Sequence, residues 1–176
     1  MKTIKLGSKV VVSDPCYTLD TWCMAIIENV LPGLYYVDTE TMYGHTSVLL
    51  VTNINLPEMT WELIENEIGV DSGQAGIFDF DTYRDDSYDT GGDLIFGRDW
   101  RDKPGDDWYQ RICGINDDPG TYDRGCVSSS GYGDGSYELE LGKNSDGKVV
   151  GFRITFIKEG DDEWDDFEDD EEETEE

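Results

Sequence analysis

Cys16, with Asp14 two residues before it and the single histidine His45 elsewhere, is the only grouping in this chain that could supply a nucleophile and a base. A cysteine nucleophile acts as the thiolate, which a nearby cation or a helix N-terminus must favour. Here the thiol follows Pro15 in an acidic chain, and like charge raises a thiol pKa. His45 closes Tyr43-Gly44-His45, whose glycine marks a turn. No catalytic residue is assigned on this pattern.

Six aspartates (Asp71, Asp79, Asp81, Asp85, Asp86 and Asp89) offer the hard oxygen ligands that calcium prefers. The helix–loop–helix calcium template needs glycine at its sixth position and glutamate at its twelfth. Counted from Asp85 those positions hold Thr90 and Phe96, and counted from Asp79 the fifth holds Tyr83. No metal ligand is assigned, although so negative a body should attract cations weakly and without selectivity. Cys16, Cys23, Cys113 and Cys126 contain no C-x-x-C spacing, so neither zinc nor disulfides are indicated. Buried or half-buried thiols are expected. Carboxylates are too numerous for any pair to stand out as a glycosidase couple. No cofactor is expected.

Gly131-Tyr132-Gly133-Asp134-Gly135 has the outline of a phosphate-cradling loop. Ser136 stands where the dinucleotide fingerprint needs its last glycine, and the residues beyond read as a strand, not a helix. A tight glycine turn or bulge that feeds a hairpin fits better.

Three segments set polar, turn-forming residues beyond apolar runs, where loops often build sites. They are Ser13-Asp14-Pro15-Cys16-Tyr17, Val70-Asp71-Ser72-Gly73-Gln74-Ala75-Gly76, and Ser128 through Tyr137. If they converge, Asp14, Cys16, Tyr17, Asp71, Ser72, Gln74, Tyr132 and Asp134 line a pocket for a small ligand or an enzymatic site. Taken in this order, the Asp-Pro-Cys-Tyr, Val-Asp-Ser-Gly-Gln and Gly-Tyr-Gly-Asp-Gly elements resemble those of an uncharacterised bacterial and phage protein family. The resemblance covers residues 9–157 in outline. It implies a β-rich domain and a phage or bacterial setting, and it carries over no catalytic residue.

Strands are the elements that must position these segments. Thr3–Leu6 and Lys9–Ser13 read as short strands, Trp22–Val30 as a buried strand or short helix, and Leu34–Thr41 and Ser47–Thr52 as a meander about a turn at Tyr43-Gly44-His45. Tyr137, Leu139 and Leu141 alternate with polar neighbours, as do Val150, Phe152, Ile154 and Phe156. Asn144-Ser145-Asp146-Gly147 supplies the turn of that hairpin. Pro57–Ile68 carries helical spacing between a proline and Gly69. Pro104–Cys113 reads as a second helix, with Asp106 and Asp107 suited to its positive end. Arg84–Gly92 and Asp117–Asp123 read as polar loops. Val11 through Thr18 also echoes Gly76 through Tyr83, each an apolar strand ending in Asp, with Tyr and Thr following. The expected class is α+β, mainly antiparallel β as a meander, partly closed sheet or sandwich with two short helices; all-β is the alternative.

Charge divides the chain. The last eighteen residues, 159–176, hold fourteen carboxylates and no Lys or Arg, with Trp164 and Phe167 the only large apolar side chains. Such a segment buries too little to offset the cost of ordering, so a disordered acidic tail is expected after a globular domain over 1–158. That domain carries thirteen cations against twenty-seven carboxylates, a balance of −14 within a total of −28. A surplus of this size repels phosphate backbones and anionic lipid, so neither direct nucleic-acid binding nor membrane association is expected. No signal-peptide pattern or membrane span is evident, and the cytoplasm (the host's, for a phage protein) is the expected compartment. The leading functional expectation is a non-enzymatic acidic protein that binds a basic, nucleic-acid-handling host protein as inhibitor or decoy. Trp164, Asp165, Asp166, Phe167 and Glu168 are its expected contacts in the tail.

Overall fold

Val10-Val11-Val12 has no polar partner for either face of a strand, so a chain that extends here must be covered on both sides. The structure is a computed structural model that describes residues 2–97, 100 and 103–161. It contains β1 (Lys2–Leu6), β2 (Val10–Ser13), β3 (Ala25–Ile27), β4 (Gly33–Met42), β5 (His45–Asn53) and β6 (Thr60–Leu63). There follow β7 (Ile68–Val70), β8 (Gln74–Asp79), a 3-10 turn over Phe80–Thr82 and α1 (Asp106–Cys113). The chain then forms β9 (Gly120–Tyr122), β10 (Gly125–Ser129), β11 (Gly135–Lys143) and β12 (Val149–Thr155).

One sheet runs β1-β4-β5-β12-β11-β6, with β7 also paired to β11; the other runs β3-β2-β8-β10-β9. Ladders between these strands are antiparallel. The main core fills the space between the sheets: Tyr35, Leu49, Leu139, Phe152 and Ile154 from the first meet Val10, Val12, Ile77 and Cys126 from the second. A second cluster covers the far face of the smaller sheet, where Val11, Phe78 and Val127 pack on Trp108, Tyr109 and Ile112 of α1. The valine run is thereby used on both faces. The protein is mainly antiparallel β with a single α-helix among the described residues. No helix among them is long and apolar enough to cross a membrane.

The β11–β12 hairpin follows its period-two pattern, and Asn144 Oδ1 holds the turn by accepting from the Asp146 and Lys148 amides. α1 lies within the expected Pro104–Cys113 span and starts at Asp106. Its N-terminal amides receive no cap from the N-cap residue Gly105: Asp86, from an earlier loop, accepts from the Gly105 and Trp108 N–H groups at 2.8 and 2.9 Å.

Three expectations are corrected. Pro57–Ile68 is not a helix: Thr60–Leu63 pairs with Lys143–Glu140 of β11, and Ile68–Val70 pairs with Tyr137–Gly135. Met59 and Trp61 fit period two as well as a helical period, and both lie over Gly142 and Gly151, where a Cβ would collide with them. The stretch thus completes a sheet edge rather than closing hydrogen bonds on itself. Trp22–Val30 contributes only the three residues of β3, and Trp22 is 86% exposed. Asp117–Asp123 contains the short edge strand β9 beside β10.

The sequence echo acquires a geometric meaning, because the two echoed segments pair with each other antiparallel, Val10 opposite Asp79 and Ser13 opposite Gly76. Asp14 leaves β2 and binds the turn that enters β8. Asp79 ends β8 and accepts from the Gly7 amide, in the turn that enters β2. The two strand-end carboxylates are related by an approximate two-fold axis through the pair.

Candidate functional site

Asp14 gathers the first two sequence segments. It is fully buried, and its carboxylate accepts from the Cys16 amide and the Ser72 hydroxyl through Oδ1, each at 2.8 Å. Through Oδ2 it accepts from the Asp71 and Ser72 amides, each at 2.7 Å. Short charge-assisted bonds of this kind are among the stronger ones in proteins, and together they occupy both oxygens. The loop beyond is clamped as well. The Tyr83 hydroxyl donates to the carbonyls of Tyr17 (2.6 Å) and Asp14 (3.2 Å). Arg84 donates to those of Pro15 and Cys16 and pairs with Asp106 of α1 at 3.1 Å.

This knot is poor ground for thiol chemistry. Burial, followed by the Asp14 charge, pushes the Cys16 thiol up, which keeps it protonated at neutral pH. Burial likewise raises the Cys113 thiol, and it raises the Tyr17 and Tyr109 hydroxyls, with Cys23 and Cys113 as their next largest influences. Cys126 is enclosed in the core and pushed up to about 12 by burial. His45, the other member of the conceivable couple, sits at the start of β5 and packs against the edge of the Tyr132 ring, 4.7 Å between centroids. The nearest chemistry to a base for Cys16 is therefore a carboxylate already committed to four hydrogen bonds.

Four of the six aspartates considered for calcium are dispersed among structural duties. Asp79 pairs with Arg124, Asp85 accepts from Ser87, Asp86 caps α1, and Asp89 accepts from the Gly91 amide. Among the described residues no group of three or more His, Cys, Asp or Glu side chains is placed to hold a metal ion.

Tyr132 and Asp134 are not in the knot. Ser130 donates its amide to Gly73 at 3.1 Å, which ties the glycine loop to the Asp71–Gln74 turn, but the loop then swings away. Gly131 and Gly133 adopt φ of 64° and 119°, as the reading of a tight glycine turn requires. Beyond them opens a groove of about 830 Å³. Its walls come from the loop (Tyr132, Asp134), the start of β11 (Tyr137, Glu138), the segment after β12 (Phe156, Lys158, Asp161) and Glu67 just before β7. No residue of 14–17 or 71–74 lines it. Gln74 begins β8, and its side-chain oxygen is buried without a hydrogen-bond partner among the described residues.

Two features define the groove. Its aromatic part is held in place: the Tyr137 hydroxyl donates to the Ser130 and Gly133 carbonyls, and its ring meets Phe156 edge-on at 5.1 Å. Its rim is anionic, with Glu67, Asp134, Glu138 and Asp161 set against Lys158 alone, a net of −3. Lys158 is already engaged. It pairs with Glu138 at 2.9 Å, a bond that holds its ammonium pKa above the ordinary value, while its amide donates to Asp161 at 2.7 Å. Glu67 and Asp134 have no side-chain hydrogen bond or ion pair among the described residues. Tyr137 and Phe156 could be read from sequence only as core-facing hairpin positions. Glu67 was hidden by the helical reading of its segment. Lys158, the last cation before the acidic run, was the one signal available.

Trp164, Asp165, Asp166, Phe167 and Glu168 lie outside the described residues. Comparison with protein-family models gave no match, and neither curated proteins nor solved structures gave a significant one. The family resemblance thus rests on the three motifs alone.

Proposed function

We propose that this chain is a non-enzymatic acidic binding protein, of phage or bacterial setting, that engages a basic protein in competition with nucleic acid. The observation that supports the reading is the anionic groove, whose rim residue Asp161 leads straight into the carboxylate-rich segment that ends the sequence. Fourteen carboxylates after residue 158 and a surplus of fourteen before it form one polyanion, and a cationic surface relieves its repulsion. The side chains nearest to a catalytic grouping are protonated thiols and a carboxylate enclosed by its own hydrogen bonds. That weighs toward binding over turnover.

The test uses the full-length chain immobilised against a bacterial lysate, beside a variant whose Asp and Glu residues from 162 onward are replaced by Asn and Gln. The native chain should retain basic proteins that elute as salt is raised, and added double-stranded DNA should compete for the same proteins. Equal retention by the neutralised variant would remove the acidic segment from the account. Retention of nothing at low salt would overturn the proposal.

A further inference from the structure

The groove beside the glycine loop is built for a particular cation. Resting on the reading that the partner is a basic protein, we infer that this groove receives one arginine side chain of that partner. Three observations converge. The groove keeps two carboxylates, Glu67 and Asp134, without a counter-charge among the described residues, while the other two are committed to Lys158 and its amide. A guanidinium brings donors in a fixed plane, so it can meet a rim carboxylate and lie against a ring at once, which an ammonium does less well. The rings of Tyr132 and Tyr137 line the same groove as those carboxylates, and a guanidinium gains from aromatic surface by stacking and by cation–π attraction.

The site is also prepared in advance. Tyr137 is fixed by two hydrogen bonds and by Phe156, and Tyr132 by the edge of its ring contact with His45. Asp134 stands one residue beyond the left-handed Gly133, in a loop whose Ser130 hydroxyl donates to the Gly133 carbonyl at 2.9 Å. Burial and the Asp134 charge together hold the Tyr137 hydroxyl above the ordinary tyrosine range, so the ring is neutral when a cation arrives. Little ordering remains to be done on binding, which is where preorganised sites gain affinity. Lys158 is the built-in competitor: it neutralises Glu138 and leaves Glu67 and Asp134 to the incoming group.

The experiment measures fluorescence anisotropy of a labelled tetra-arginine peptide, and separately of tetra-lysine, against the full-length chain at about 150 mM salt, where exposed charges beyond roughly 8 Å are screened. Tetra-arginine should bind about three- to tenfold tighter than tetra-lysine, the margin expected of stacking plus fork geometry. Glu67→Gln with Asp134→Asn should weaken tetra-arginine about tenfold, as loss of two charge-assisted contacts implies. The control pair, Asp20→Asn with Glu58→Gln, makes the same change in net charge at positions that do not line the groove and should alter affinity less than about twofold. Far-UV circular dichroism of each variant guards against loss of fold, and all four positions are exposed.

Equal loss in the groove pair and the control pair would overturn the arginine site and leave the basic-partner reading standing on bulk charge. Equal affinity for the two peptides would overturn the guanidinium preference. Absence of binding by either peptide, even at low salt, would sink both readings together.

Discussion

Asp14 binds the Asp71–Gln74 turn, and the loop that carries Asp134 is tied to that same turn by the Ser130 amide at Gly73, yet the fold treats the two charges in opposite ways. Asp14 is enclosed and its two oxygens accept four hydrogen bonds from three residues. Asp134 is exposed, on the rim of a groove, and has no such partner among the described residues. A carboxylate whose lone pairs the chain has already filled is a strut, however site-like its motif. A carboxylate left unanswered beside fixed aromatic rings is available to something else. In a chain with forty-one acidic residues, this distinction does more to locate a site than the presence of acids.

The largest effect that separates the two regions should come from Asp14→Asn. The amide would point a donor at N–H groups, and unfolding by urea should show a loss of about 3 kcal/mol, the scale of breaking buried bonds to a charged group. Glu67→Gln or Asp134→Asn should each change stability by less than about 0.5 kcal/mol. A stable Asp14→Asn protein would break the comparison outright.

Next in size is the two-fold mate of Asp14. Arg124→Ala leaves Asp79, which is almost fully buried, with only the Gly7 amide and without its cation, and should cost about 2–3 kcal/mol in the same assay. A loss far smaller than that at Asp14 would show that the approximate symmetry is one of shape and not of energy.

Alkaline titration reads the cores behind both regions. Burial raises the hydroxyls of Tyr83 and Tyr122 and pushes Tyr35 up to about 12 from 10.0. A group held above its unfolded value keeps its stabilising contribution below that value and loses it as pH rises toward the folded one. Stability toward urea should therefore be flat in these groups below about pH 9 and fall between roughly pH 10 and 12. The phenolate absorbance of these three buried tyrosines should appear only as the chain unfolds. Folded-state ionisation of all ten tyrosines near pH 10 would contradict this burial.

A smaller effect is kinetic. Cys16, held protonated in the Asp14 knot, should be alkylated by iodoacetamide at about pH 8 at least roughly tenfold more slowly than free cysteine. Peptide mapping by mass spectrometry checks it, and rapid labelling would reopen thiol chemistry at this position. Smallest of all, Lys158→Met should leave stability within about 0.5 kcal/mol, since the pair is more than half exposed on the lysine side. It should strengthen tetra-arginine binding by about twofold, because Glu138 is freed to join the rim.

Parts of this arrangement were legible residue by residue. Alternation at Tyr137, Leu139 and Leu141 gave the hairpin that forms one wall of the groove, and the Pro104–Cys113 pattern gave α1. The glycine loop read as a turn and is one. What misled was Pro57–Ile68, whose apolar spacing satisfies two periods. The choice between them lay in Gly142 and Gly151, far along the chain, which leave room for Met59 and Trp61. Reading that stretch as a helix removed Glu67 from view. The motif segments at Asp14 and Asp71 did converge, but on each other's backbone, so their polarity signalled a joint between strands.

Sequence alone settled what depends on neighbours within a few positions: the local periods of hairpin and helix, the turn chemistry, and the unequal spread of charge. It could not settle which strand edge would recruit Thr60–Leu63, nor that Asp14 would meet amides fifty-seven and fifty-eight positions away. Nor could it tell which carboxylates would be consumed and which left facing solvent. Those outcomes follow from burial and pairing between distant segments. A carboxylate's worth is set by the donors that surround it, and only the folded chain brings those donors together.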